Sequence, residues 1–315
     1  MEDKYLITVA IPTHNNEEYI EKAVMSVVNQ TFKESLEILV LNDACTDHTD
    51  EIIERLMKQY PNIHYLHVNN RSEGATRMDA IRNAKGKYMM WLDGDDYYHP
   101  DMVKTMYETI KENDADWVNC SFYIIRKNGI KKNLITKNIV FKDIYQAVKA
   151  YFNDTYFRGF FHTKIFKTDL LRQNELDLPK LSFVYVDTLF NFYYLLHCKK
   201  VVSINKPLLY YNKTNEGSLT NKAKNRMQDN INVRAGIKRK IDLSNDPKLL
   251  KLFLRQKKRI KQLLLVDYIY SHFETKKQKR LAYKQAKKDL KLIYSKNPLP
   301  MEVQTYSQFL KETLK

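Results

Sequence analysis

Cysteine is scarce. Cys45, Cys120 and Cys198 are the only three in 315 residues, and they stand far apart. Three scattered thiols do not make a disulfide framework or the paired spacing of a zinc site, so they read as reduced, structural side chains. Long apolar runs are also missing. No stretch approaches the about 20 residues that span a bilayer. The start, MEDKYLITVAIPTHN, has neither the basic head nor the long apolar run of a secretory leader. The chain therefore reads as cytoplasmic. Internal repeats and low-complexity linkers are absent too, and an apolar content of 43% allows a large core in one large domain or two.

Positive charge is nearly absent in surplus from the first 221 residues, where 28 Lys/Arg face 29 Asp/Glu. Residues 222–315 carry 25 Lys/Arg against 8 Asp/Glu, so the whole excess of +16 lies there. The split marks two compartments with different partners: 1–221, with halves at about 1–100 and 101–221, and a basic helical region over 222–315.

The first hundred residues alternate between two periodicities. Tyr5 to Ile11, before Pro12, reads as a strand, with Pro12 as its stop in the plainer reading; Glu37 to Leu41, Ile63 to Val68 and Lys87 to Leu92 read as further buried strands. Between them, Glu17 to Gln30, Asp47 to Tyr60 and Gly74 to Lys85 carry apolar stripes at helical spacing. Short loops and apolar strands predict an α/β fold on a mainly parallel sheet, which binds ligands beyond the carboxyl ends of its strands. Those ends carry Pro12-Thr13-His14-Asn15, Asn42-Asp43, Asn69-Asn70 and Asp93-Gly94-Asp95-Asp96. The last cluster follows an apolar run, MMWL, directly. Carboxylates so close together repel and are costly to bury without a cation or hydrogen bonds. Two readings stand: a hard-oxygen site for Mg²⁺ or Mn²⁺ that would in turn hold phosphate, or an acidic turn. The gathering of polar clusters on one edge favours the first. A helix is also predicted over Asp187 to Leu196, and breaks near Asn245-Asp246-Pro247 and Asn297-Pro298 divide the basic region.

Four ordered stretches, VAIPTHNNEEYIEKAVMSVVNQTF, EILVLNDACTD, AIRNAKGKYMMWLDGDDYYHP and FVYVDTLFNF, together resemble the inverting glycosyltransferases of family 2, over roughly residues 5 to 220. The resemblance implies a GT-A fold, a UDP-sugar donor and Mn²⁺ or Mg²⁺. It implies that Asp43 meets the donor base, that Pro12 and Thr13 line the nucleoside, that Arg77 faces the diphosphate and that Asn69 touches the nucleotide. Asp93 then contacts ribose or completes the metal shell, and Asp95 is the metal ligand, while Asp96 orients the turn. Asp187 matches the general base, with the helix N-cap as its alternative role. Two departures stand out: Val186 replaces the usual acidic partner of that aspartate, and Ala44-Cys45 replaces Gly-Ser after Asp43. The aromatic run Tyr156, Phe157, Arg158, Phe160, Phe161, His162 reads either as an acceptor groove or as core. His162 receives no role, and Asn215 to Thr220 resembles a segment that closes over the diphosphate. The Gln-x-x-Arg-Trp motif of processive synthases is absent, which implies one sugar per encounter.

The basic region suits an anionic glycan polymer such as teichoic acid, or a membrane-linked acceptor. That acceptor would be met from the inner face of the membrane, and the helices allow a homo-oligomer. A solvated face is the plainer reading. The rivals in function are a catalytically inactive glycan-binding protein and a nucleic-acid-binding protein. Nucleic acid is disfavoured because no recognisable motif accompanies the charge.

Overall fold

The computed structural model describes residues 4–298 apart from 71, 134–136, 155, 158, 174–184 and 218–225. Strand and helix alternate through β1 (Tyr5–Thr13), α1 (Ile20–Val28), β2 (Leu36–Asp43), α2 (Thr49–Gln59), β3 (Ile63–Val68), α3 (Glu73–Asn83) and β4 (Gly86–Trp91). Then come β5 (Tyr97–Tyr98), α4 (Met102–Asn113), β6 (Trp117–Arg126), β7 (Gly129–Asn133), β8 (Ile139–Phe141), α5 (Ile144–Asn153), β9 (Lys164–Lys167), α6 (Thr168–Gln173), α7 (Val186–Leu195) and β10 (Val201–Asn212). Four helices follow: α8 (Arg226–Ser244), α9 (Pro247–Leu254), α10 (Lys257–Tyr270) and α11 (Lys276–Ile293). None of the described helices is long and apolar enough to cross a membrane.

The strands form one sheet in the order β3-β2-β1-β4-β9-β6-β10-β5, with β7 beside β6 and β8 beside β10. The pairs β2–β3, β1–β2, β1–β4 and β6–β10 are parallel. The short β9 runs antiparallel between β4 and β6. Successive side chains of a strand point to opposite faces, and two cores result. Ile7, Val9 and Ile11 of β1, with Ile38 and Val40 of β2, face α1, α2 and α4. Ala10, Leu39, Leu41, Met89 and Trp91 face the other way, into a core shared by α3, α5, α7 and all four C-terminal helices. The fold class expected from the sequence, a mainly parallel α/β sheet followed by basic helices, is the one found.

Two local expectations change. Pro12 does not stop β1: the strand continues to Thr13 with Pro12 opposite Leu41. The ladder to β4 ends at Ala10–Trp91, with the Leu92 N–H donating to Ala10 O, so beyond it Pro12's lacking N–H leaves no ladder bond unmade. Asp187 is not the N-cap of α7 either. Tyr185 holds that place with φ +81°, and Asp187 lies within the first turn. The break predicted at Asn245-Asp246-Pro247 is found, with Asp246 accepting from the Lys248 and Leu249 N–H groups and Pro247 opening α9.

Candidate active site

The strand ends meet on one edge. His14 Nδ1–H donates to the Asp43 carbonyl at 2.6 Å, and the Thr46 N–H donates to Asn15 Oδ1 at 2.8 Å, which ties the β1 end to the β2 end. Asp43 is buried. Its Oδ2 accepts from the Ser72 N–H at 3.2 Å and from Thr76 Oγ1 at 2.8 Å. A carboxylate at the start of α3 is stabilised there by the helix dipole. Thr13 is buried and accepts from Asn16 Nδ2 at 3.1 Å. Gly94 packs so tightly on this pair that a Cβ would lie 2.9 Å from both Thr13 Oγ1 and Asn16 Nδ2, so the loop after β1 and the carboxylate turn touch.

Within that turn the three aspartates differ. Asp93 accepts from Arg77 Nη2 at 2.8 Å and from His162 Nδ1 at 2.9 Å. Burial alone would raise its carboxyl, but these two cations hold it well below the usual carboxylate range. Asp96 is 1% exposed; it accepts from the Asn212 N–H at 2.8 Å and faces His162 Nδ1 at 3.1 Å. Burial pushes its carboxyl up, and the two carboxylates push His162 up against the effect of its own burial. His162 thus serves as the internal cation of the turn, and its Nε2 has no partner among the described residues. Asp95 stands apart. It accepts from Asn215 Nδ2 at 2.8 Å, forms no ion pair with any described residue, and is raised by burial and by the Asp93 charge. A carboxylate short of positive charge in this way fits a hard divalent cation whose remaining ligands are phosphate or water. Asp93, Asp96 and His162 also bring ligand-type atoms within 4.8 Å of one another. In this arrangement, however, His162 Nδ1 is already engaged by both carboxylates, which leaves Asp95 as the better fit.

Arg77, expected to face a diphosphate, is turned inward. It is 3% exposed, donates to Glu73 Oε1 at 2.8 Å as well as to Asp93, and lies 4.1 Å above the Phe161 ring. Most of its charge is spent bracing α3 against the end of β4; one nitrogen, Nη1, has no partner among the described residues.

Asp187 lies across from this brace. It is half-buried, its Oδ1 accepts from the Thr188 N–H at 2.7 Å, and burial followed by the Glu73 charge pushes its carboxyl up to about 7, against the pull of Arg77 and Lys164. Lys164, fully buried at the start of β9, donates to Thr163 Oγ1 at 3.0 Å and to the Phe160 carbonyl, and burial brings its ammonium down to about 7. Burial thus draws an acid and an amine toward neutrality in the same neighbourhood.

Other expected residues fall elsewhere. Asn69 is exposed at the end of β3, while its neighbour Asn70 donates to Asp79 at 2.7 Å. Phe157 and Phe161 are core, whereas Phe160 and Tyr211 flank His162 with ring centres 5.1 and 5.3 Å away. Arg158 and the stretch 218–220 lie outside the described residues. Cys45 is half-buried, and burial raises its thiol, in line with an inert residue. Sequence reasoning missed His162, whose partners lie 66 and 69 positions away. It also missed Glu73, although Glu73 and Arg77 are spaced four apart on one helix and that signal was available.

The profile of glycosyl transferase family 2 matches residues 8–174. The chain belongs to glycosyl transferase family 2. Similar proteins include the glycosyltransferase GlyA of Streptococcus pneumoniae serotype 4, 30% identical over 227 residues, which cover 68% of this chain and 31% of GlyA. A poly(ribitol-phosphate) beta-glucosyltransferase of Bacillus spizizenii is 29% identical over 208 residues, covering 65% of this chain and 32% of that protein. The chain thus spans about a third of the length of these curated relatives. The crystal structure of S. aureus TarS 1-349 in complex with UDP-GlcNAc superposes with a TM-score of 0.69 at 20% identity, over 95% of this chain and 82% of that one. A mannosyltransferase of Pyrobaculum calidifontis in complex with GDP-Man and Mn²⁺ superposes at 0.54 with 16% identity, over 100% and 82%. At these identities the superpositions establish the fold of this family 2 chain.

Proposed function

We propose that this family 2 chain transfers one sugar per encounter from a UDP-sugar to a hydroxyl of a polyol-phosphate or glycan acceptor, with inversion at the anomeric carbon. The observation that carries the reading is that Asp187, raised to about 7, feels the charges of Glu73 and Arg77, the pair that braces Asp93 of the carboxylate turn. Two relatives whose names specify poly(ribitol-phosphate) as acceptor, and a neighbour of like fold in complex with UDP-GlcNAc, support the choice of substrates.

In this reading Pro12, Thr13 and Asp43 receive the nucleoside, and Asn69 borders it from the end of β3. Asp187 takes the proton of the acceptor hydroxyl as its oxygen attacks the anomeric carbon from the face opposite the diphosphate. The new C–O bond forms as the bond to the phosphate oxygen breaks, and the electron pair leaves with UDP. Arg77 and Asp93 keep the donor side and the base side in register. Asp95 would hold Mn²⁺ or Mg²⁺, which when bound neutralises the leaving diphosphate.

The test is UDP release from a panel of UDP-sugars with Mn²⁺, with and without a polyol-phosphate acceptor. Asp187→Asn should leave donor affinity near normal and lower transfer by roughly 10²-fold or more. Asp95→Ala should abolish metal-dependent donor binding. Wild-type protein that turns over no UDP-sugar, or an Asp187→Asn protein with full activity, would overturn the proposal.

A further inference from the structure

A cavity of about 300 Å³ opens between the C-terminal end of α5 and the junction of α9 and α10. Its cations are Lys149, Arg255, Lys258 and Arg259, and Asn153 and Gln256 add amides. Arg259 is pinned: it pairs with Asp154 at 3.3 Å and donates to the Phe152 carbonyl. Gln256 is buried and donates to Asn153 Oδ1 at 3.1 Å, which fixes the back wall. Lys149, Arg255 and Lys258 form no ion pair with any described residue. Four positive charges thus line a hollow with no carboxylate among its described lining residues, and three of them form no ion pair with any described residue. Like charges held together repel, and an anion relieves that cost.

The place of the cavity matters as much as its charge. The helix end that lines it also braces the base. Tyr151 Oη donates to the Thr188 carbonyl at 2.8 Å, next to Asp187, and the Phe152 ring stacks on Phe192 of α7 with centres 5.4 Å apart. The cavity and the helix that carries Asp187 are thus joined through one helix end. The volume admits a phosphodiester with part of its polyol. A repeating polymer offers both groups at once, a phosphate for the cavity and a hydroxyl for Asp187.

We infer that this cavity is a subsite for one backbone phosphate of an anionic polyol-phosphate acceptor. It holds the polymer while a neighbouring unit is presented to Asp187. The inference rests on the proposed function and names how that acceptor is gripped.

The experiment uses the full chain and the triple variant Lys149→Gln/Arg255→Gln/Lys258→Gln, sparing Arg259 because it is part of the wall. The probes are poly(ribitol phosphate), free ribitol, inorganic polyphosphate, and vesicles of phosphatidylglycerol in phosphatidylcholine. The variant should keep its melting temperature, its KM for the UDP-sugar, and its rate of transfer to ribitol or water. Its KM for the polymer should rise roughly tenfold or more, and the salt dependence of that KM should flatten by about one power for each cation engaged. Polyphosphate should compete with the polymer in the wild type and far less in the variant. An unchanged polymer KM overturns the inference. So does loss of vesicle binding with polymer KM intact, because the basic rim would then serve a membrane surface. If the wild type transfers to no polymer at all, the functional reading has failed. Polyphosphate titration then still decides the subsite: weaker binding to the variant supports it, and equal binding removes it.

Discussion

Ala44 stands where a glycine would be at ease. Its φ is +57°, in the left-handed region, and its N–H donates to Val68 O at 3.1 Å, so the conformation is held by the sheet edge. An L-residue there costs about 1–2 kcal/mol, and a glycine returns about 0.4–1 kcal/mol of that through its looser unfolded chain. Ala44→Gly should therefore stabilise the protein by about 0.5–1 kcal/mol, read as a higher denaturant midpoint with activity unchanged. Asp187 works in the opposite sense. Its folded value of about 7 lies above an ordinary aspartate's, so between those limits the folded state holds a proton that the unfolded chain has released. Stability then falls as pH rises through that window. Asp187→Asn should melt a few degrees higher than wild type at pH 8 while losing transfer, and the gap should close near pH 4. The wild-type rate should rise with pH through about 7 as the base is freed. The aspartates at 43, 93, 95 and 187 could be singled out as candidates because each sits in a short contiguous motif. The states of the 93–96 turn were not. They depend on His162 and Asn215, brought from 120 positions away or less by the sheet.

Elements were legible where a period repeats. β3 was read to the residue from its run of apolar and aromatic side chains, and α3 within two. The direction of β9 was hidden: four residues carry too little pattern to show that the strand runs against its neighbours. That reversal delivers His162 and Lys164 to the active edge. Hidden too was the reach of α10. Asp267 on that helix is 1% exposed, accepts from Tyr185 Oη at 2.6 Å and from Asn230 Nδ2 at 2.7 Å, and lies 3.6 Å from Arg226. Tyr185 sits two residues before Asp187 in a left-handed conformation that a bulky residue rarely adopts. The C-terminal helices therefore hold the turn that carries Asp187. Tyr185→Phe should lower kcat several-fold with the KM for donor unchanged, beyond the about 1.5–3 kcal/mol of stability that a hydrogen bond to a charged group contributes. A lower melting temperature with kcat intact would mean that Tyr185 only stabilises.

At the scale of the molecule, the composition break near residue 221 does not coincide with a break in packing. Leu189 of α7 and Met227, Ile231 and Ile237 of α8 share one core, and Tyr193 Oη donates to Gly236 O at 3.1 Å. Gly236 lies so close that a Cβ would sit 2.9 Å from Leu189 Cδ1. Each large apolar side chain uncovered costs about 1.5–3 kcal/mol, against a total stability of about 5–15 kcal/mol. A chain ending near 221 should therefore be insoluble or bind a hydrophobic dye, and a cooperative melt at the full-length temperature would contradict this. Charge alone did not show which lysines are surface: Lys276 and Lys277 are exposed, but Lys279 is partly buried, donates to Ile269 O at 3.1 Å and lies over Tyr268.

The two faces of the sheet also close at different moments of synthesis. The core facing α1, α2 and α4 draws its last buried residue from Leu209, whereas the opposite core waits for Tyr294. At about 5–20 residues per second a ribosome needs roughly 4–17 s to make the intervening chain. For that interval the nascent protein has one finished side and one side still open, with Phe152, Leu189 and Tyr193 still without the helices that meet them. The order of the elements therefore leaves one apolar face exposed during synthesis, until the last basic helices fold down.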